Sequence, residues 1–171
     1  KDEGMTVKEA GAAGYPPAAI REAGYTETEI ATALGELKEA GWSAAEASTA
    51  GFTVPEIEQV FSEGDVEGLL IDAKIGGMTA EEASEAGYTP AQMEQAGYTP
   101  AEMGALLSEK KDEGMTVKEA GAAGYSPAAI REAGYTETEI GNALAELRSS
   151  GWTASQAFAA GFTPAEVEQA G

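Results

Sequence analysis

Residues 88–107 read YTPAQMEQAGYTPAEMGALL. Tyr88 and Tyr98 stand ten residues apart, each followed by Thr-Pro, and a glycine closes the first of the two segments. That layout encodes short helices with both ends specified. Thr99 is placed to be an N-cap, Tyr98 is then the N′ residue, and Met103, four residues after the cap, is N4; an apolar N′ and N4 form a hydrophobic staple. Looking back, Met93 falls at C3 relative to Gly97, and Tyr98 is its C″ partner in a Schellman closure, with glycine at the left-handed C′ position. One aromatic side chain therefore clamps two successive helices. The segment FTPAEVEQAG at 162–171 repeats the code: Thr163 caps, Pro164 takes N1 where its missing N–H costs nothing, and Glu166 at N3 completes a capping box.

The same motif runs outward through the chain. Large apolar residues that precede Thr, Ser or Pro fall at Met5, Tyr15, Tyr25, Trp42, Phe52, Phe61, Met78, Tyr88, Tyr98, Met115, Tyr125, Tyr135, Trp152 and Phe162, with intervals of about 10, 10 and 17 residues. The larger period is thus 37 residues and divides the chain into repeats 5–41, 42–77, 78–114, 115–151 and an incomplete 152–171, one continuous array over 1–171. KDEGMTVKEAGAAGY at Lys1 returns at Lys111, a shift of 110 residues that points to duplication of a three-repeat block. The array reads as a segment of a longer chain.

The third element of each repeat is longer. After Tyr25, Ile30, Ala33, Leu34 and Leu37 mark one helical face at i, i+3, i+4, i+7. Val66, Leu69, Leu70 and Ala73, then Met103, Leu106 and Leu107, then Ile140, Ala143, Leu144 and Leu147 are its counterparts. Lys38, Lys74, Lys110, Lys111 and Arg148 gather near the ends of these helices, where cations suit the helix dipole. Helices of seven or eight residues are marginal alone, so stacking must supply the stability. The expected fold is all-α: an α-solenoid in which each repeat contributes two short helices and one longer one. Its staple and core residues are Tyr15, Ile20, Tyr25, Trp42, Phe52, Tyr88, Met93, Tyr98, Met103, Tyr125, Ile130, Tyr135, Trp152 and Phe162.

Composition removes much chemistry. The 171 residues contain no histidine and no cysteine, which excludes thiolate nucleophiles, disulfides, imidazole or thiolate metal sites and the Ser-His-Asp triad. Thirty acids against ten bases give a formal net charge of -20, which opposes phosphate backbones and anionic lipid. No apolar run approaches the roughly 20 residues of a membrane span. Paired acids such as Glu27 with Glu29, Glu56 with Glu58, Glu81 with Glu82 and Glu166 with Glu168 recur at repeat positions on helix starts, so capping and solvation account for them better than catalysis. The segment around Ser62, Glu63, Asp65 and Glu67 lacks the ligand order of an EF-hand loop. No catalytic, cofactor-binding or metal-ligating residue is assigned, no cofactor is implied, and the chain reads as a non-enzyme.

AGYTPAEM at 96–103 and AGFTPAEV at 160–167 resemble the tandem A-G-[YF]-[TS] short-helix repeats of unicellular algae and other protists. The resemblance covers essentially the whole chain and implies a structural or linker role within a large assembly. Two function classes follow. One is a structural or scaffolding repeat protein that mediates protein-protein assembly, as a linker or filament component, with other proteins or copies of itself as partners through the solenoid ends or lateral surface. The other is an acidic module that binds a small ligand or a cation such as calcium.

Overall fold

The computed structural model describes residues 4–170, the side chain of residue 12 excepted. Lys1 and Gly171, at the two ends of the repeat count, lie outside the described residues. Among the described residues all regular structure is α-helical, in the order short, short, long. The helices are α1 (Val7–Ala12), α2 (Pro17–Glu22), α3 (Glu27–Glu39), α4 (Ala44–Thr49), α5 (Val54–Glu58), α6 (Glu63–Ile75) and α7 (Ala80–Ala86). They continue as α8 (Pro90–Gln95), α9 (Pro100–Asp112), α10 (Val117–Ala122), α11 (Pro127–Glu132), α12 (Glu137–Ser149), α13 (Ala154–Ala159) and α14 (Pro164–Gln169). The four long helices, α3, α6, α9 and α12, have 13 residues each.

Helix starts obey the capping code. Thr6, Thr26, Ser43, Ser62, Thr99, Thr116, Thr136 and Thr163 each form a capping box with an acid at N3. Pro16 departs from the code: it occupies the cap of α2 and offers no side-chain acceptor. Helix stops use glycine at positive φ, for instance Gly97 at +91° and Gly124 at +97°. α5 departs again, because its repeat is one residue short and carries Gln59-Val60 where the others carry Ala-Gly. Its closing bonds shorten accordingly: the Phe61 N–H donates to Ile57 O at 2.8 Å, an i to i−4 bond in place of the i to i−5 bond made elsewhere.

By their internal contacts the described residues gather into two compact units, 4–77 with 85–88, and 78–84 with 89–170. Inside the first, α1 packs on α2 and α3, α3 on α5, and α4 on α5 and α6. Inside the second, α8 and α11 pack on α9, α10 on α11 and α12, and α14 on α12 and α13. Within the units three long helices lean on the second short helix of the following repeat, α3 on α5, α9 on α11 and α12 on α14. Ile30 and Leu34, Val66 and Leu70, Met103 and Leu107, and Ile140 and Leu144 are buried on the long helices, so the stripes read from the sequence face inward.

Nine of the expected core residues are buried: Ile20, Tyr25, Tyr88, Met93, Tyr98, Met103, Tyr125, Ile130 and Tyr135. Trp42, Phe52, Trp152 and Phe162 are half-buried. Tyr15 corrects the expectation, since it is 56% exposed. Its copy Tyr125 is 5% exposed because α8 of the preceding repeat covers that side, placing Ala91 against Gly124 and the Glu94 carboxylate on the Ser126 N–H. No described helix stands in that position beside Tyr15.

Candidate functional site in the joints and between repeats

The recurrent chemistry lies where one helix hands over to the next. At the α8–α9 joint the Tyr98 N–H donates to Met93 O at 3.0 Å and the Gly97 N–H to Glu94 O at 3.0 Å, the bond pair of a Schellman closure. The cap follows at once: the Thr99 N–H donates to Glu102 Oε2 at 2.7 Å, and Thr99 Oγ1 accepts from the Glu102 N–H at 3.3 Å. Met93 and Met103, on either side, are fully buried. In the first unit Ile20, Tyr25 and Ile30 share one apolar cluster with Val7, Ala10 and Ala33. Tyr25 thus lies in one cluster with Ile20 of the helix before it and Ile30 of the helix after it.

The tyrosine of the third joint does more. Its hydroxyl donates back to the carbonyl of the first-joint methionine of its own repeat: Tyr25 to Met5 at 2.7 Å, Tyr98 to Met78 at 2.9 Å and Tyr135 to Met115 at 2.5 Å. Each bond closes its repeat into a loop. Burial pushes the Tyr98 and Tyr135 hydroxyls above their ordinary pKa, so they stay protonated donors. Repeat 42–77 has Phe61 and Trp42 at these positions and so has no such hydroxyl.

Two polar contacts join one repeat to the next in both units, and a steric one is added in the second. Arg21 Nη1 on α2 straddles the Glu56 carboxylate on α5, at 2.9 and 2.8 Å, and Arg131 on α11 does the same to Glu166 on α14, at 3.0 and 3.0 Å. Both glutamates are only 4% exposed, although the sequence placed them among solvated helix starts. They are buried because each serves two masters, its own cap threonine and the arginine of the preceding repeat. Burial works against the charge of Glu166, yet the hydrogen bonds from Thr163 and Arg131 outweigh it and hold its carboxyl below the ordinary value.

Where the following repeat lacks an N3 acid, the pair is inverted. Glu94 takes the place of arginine on α8 and accepts from the Ser126 N–H at 3.2 Å, above an N3 residue that is Ala129. The second contact is a lysine latch. Lys38 Nζ donates to Val60 O at 2.7 Å and lies 5.1 Å from the Phe61 ring centre; Lys111 Nζ donates to Gly134 O and lies 4.7 Å from the Tyr135 ring centre. The third is close approach at glycine: a Cβ on Gly104 of α9 would sit 2.4 Å from the Glu132 Cβ, and one on Gly141 of α12 would sit 3.2 Å from the Gln169 Cβ.

Sequence reasoning missed these inter-repeat residues. A signal was available: arginine followed 35 residues later by an N3 glutamate occurs at Arg21 and Glu56 and again at Arg131 and Glu166.

Two open grooves lie between the first short helix and the long helix of equivalent repeats. One of about 550 Å³ is lined by Met5, Lys8, Glu29, Thr32 and Glu36, and the other, about 470 Å³, by Met115, Lys118, Glu139, Asn142 and Glu146. Exposed ion pairs cross both, Lys8 to Glu36 at 2.8 Å and Lys118 to Glu146 at 3.3 Å. An apolar cavity of about 430 Å³ sits beneath Tyr125, Ile130, Leu147, Trp152 and Phe162. Among the described residues no group of three or more acids could hold a metal ion, and no helix is long and apolar enough to cross a membrane.

The sequence profile of a family described as a Decapeptide repeat region matches residues 70–143, which supports a ten-residue repeat over that stretch. No curated protein and no solved structure matches the chain.

Proposed function

We propose that this chain is a structural, scaffolding repeat array: an α-solenoid of 37-residue repeats that mediates protein-protein assembly as a linker or filament component and carries out no catalysis. The carrying observation is how the recurrent charged groups are used. Arg21 and Arg131 hold the following repeat's buried glutamate, and Lys38 and Lys111 hold its joint carbonyl. The residues that could have formed a repeated ligand site are spent on continuity between repeats, as expected of quasi-one-dimensional proteins. The acids at helix starts likewise hold caps, and a catalytic pair would be singular, not periodic. The likeness to algal and protist short-helix repeats supports the same assignment.

Sedimentation velocity across a sodium chloride series, with and without calcium, tests it. Copies of a chain with net charge -20 repel each other at low ionic strength, and salt screens that repulsion within about 8 Å at physiological strength. Association that grows with salt at constant helix content is expected of a self-assembling array. A monomer under every condition moves the proposal to a scaffold that binds other proteins along its side. Saturable calcium binding with a change in fold stability would instead favour the acidic cation-binding module.

A further inference from the structure

Along α6 the residues Gly64, Gly68, Ile71 and Ile75 follow one another at intervals of 4, 3 and 4, which places them on one stripe about 60° wide. Ile75 is 80% exposed and Ile71 36%. The three equivalent stripes are polar or small throughout: Thr28, Thr32, Gly35 and Glu39 on α3; Ala101, Ala105, Ser108 and Asp112 on α9; Thr138, Asn142, Ala145 and Ser149 on α12. Only α6 turns this outward face apolar. A large apolar side chain kept in water at a position where its sister repeats carry acid or serine is the informative kind of exposure. The glycines add to it. A Cβ on Gly68 would meet nothing within 4 Å and one on Gly64 only a serine hydroxyl, whereas Gly104 and Gly141 are glycine because a neighbouring helix lies against them. Glycine weakens a helix relative to alanine, and among the described residues nothing packs into the gap it leaves here, as at Gly35 on the α3 stripe; what sets α6 apart is the pair of isoleucines beside its glycines.

We infer that this α6 face docks a partner's amphipathic helix, whose backbone approaches at Gly64 and Gly68 and whose apolar side chains pack on Ile71 and Ile75. Charge decides the rest of the partner's chemistry. Helical geometry puts Glu67 and Lys74 on one border of the stripe and Asp65 and Asp72 on the other, three acids against one base, so the docked helix carries lysine or arginine beside its apolar residues, toward the two aspartates. A second copy of this chain does not fit: both faces carry the same excess of acid over base, and two isoleucines fall far short of the roughly 800 Å² per partner of a stable dimer. The face suits a transient contact built on a small anchor.

The inference deepens the scaffolding reading and rests on it. The test uses the full chain at physiological salt and two amidated 14-residue peptides, one with leucine at i, i+3, i+4 and i+7 and lysine elsewhere, the other with serine for each leucine. Calorimetry should show the leucine peptide binding at least about tenfold tighter, well above the ordinary scatter of charge attraction. Ile71→Ser with Ile75→Ser should cut that preference to under about twofold, and since both side chains face solvent the fold is kept. Ser108→Ile with Asp112→Ile on α9 should create a second preferring site. Equal binding of both peptides, a preference that survives in the serine variant, or a wild-type dimer that Ile75→Ser dissociates would each overturn it. These readouts address α6 alone; failure of the scaffolding reading appears in the salt series.

Discussion

Gly104→Ala is the sharpest probe of how the repeats meet. Alanine inside a helix is favoured over glycine by about 1 kcal/mol, so intrinsic propensity predicts a more stable protein. The packing predicts the reverse. The new Cβ would lie 2.4 Å from the Glu132 Cβ, 2.9 Å from the Glu132 carbonyl carbon and 3.0 Å from the Ala133 nitrogen. Two of those three are backbone atoms at the end of α11, beside the Gly134 carbonyl that Lys111 holds, so relief requires the joint itself to move. Overpacking of a fitted contact costs about 1–3 kcal/mol, and a backbone obstacle sits at the upper end. The net expectation is a loss of about 1–2 kcal/mol, or a few degrees in Tm for a chain of this size. Gly35→Ala is the control: it lies within α3, would meet nothing within 4 Å, and should stabilise by about 0.5–1 kcal/mol. Gly141→Ala falls between them, because its obstacles are the Cβ and Oε1 of Gln169 at 3.2 Å, on a side chain that can turn aside. Urea unfolding followed by circular dichroism should rank the midpoints Gly35→Ala, then wild type with Gly141→Ala, then Gly104→Ala. A Gly104→Ala midpoint raised as far as that of Gly35→Ala would refute the close approach of α9 and α11.

Ile130→Ala removes a buried clamp residue shared by two joints and should cost about 2–4 kcal/mol, whereas Glu137→Gln on an exposed helix start should cost under about 1 kcal/mol; equal losses in thermal melts would overturn the inside-outside assignment. Arg131→Met leaves Glu166 buried without its cation and should cost about 1–3 kcal/mol in the same melts. The folded pKa of Glu166 is lowered, so its contribution is fully present above the unfolded carboxylate value of about 4.3 and is lost as pH falls through the folded value. Arg131→Met should therefore raise the Glu166 pKa in an NMR carboxyl titration and start acid loss at higher pH; an unmoved titration would count against the pairing. A peptide spanning Met78 to Gly114 should show little helix by circular dichroism, with helicity appearing as repeats are added, and a fully helical single repeat would count against stacking as the source of stability.

What was legible in the sequence was local. Thr-Pro-x-Glu starts, glycine stops and the aromatic between them sit within about ten residues, so one segment such as 88–107 carries its own punctuation and the helix pattern follows. The long-helix stripes were equally plain, because the 3.6-residue period needs no partner to be seen. What escaped was whatever depends on which residue the next repeat sets opposite. Glu166 reads as an N3 cap whether or not Arg131 lies above it, and only the arrangement of α11 against α14 turns an expected solvated acid into one that is 4% exposed. Lys38 and Lys111 likewise read as dipole cations, while their actual partners lie 22 and 23 residues away. Tyr15 failed in the opposite direction: its local code matches that of Tyr125, and burial came from a neighbouring repeat that local code does not contain.

The acidity of the chain follows from the same asymmetry between helix starts and helix stops. Ten of the acids stand at N3 of a capping box: Glu9, Glu29, Glu46, Glu56, Asp65, Glu82, Glu102, Glu119, Glu139 and Glu166. Cap hydrogen bonds hold several of them, such as Glu9, Glu46 and Glu119, below the ordinary carboxylate value, which marks the charged form as the one the fold uses. At the other end a helix could be finished by a cation, but here glycine in the left-handed region does that work without charge. Of the fourteen described helices ten thus carry an N3 acid, while six carry a base in the last turn. Ten of the thirty acids are therefore accounted for by helix starts, four of them on the long helices, and those ten need no ligand to explain them. Acids away from the caps are the ones to read for partners, which is why Glu67 and Asp72, bordering the isoleucines of α6, carry weight that Glu166 does not.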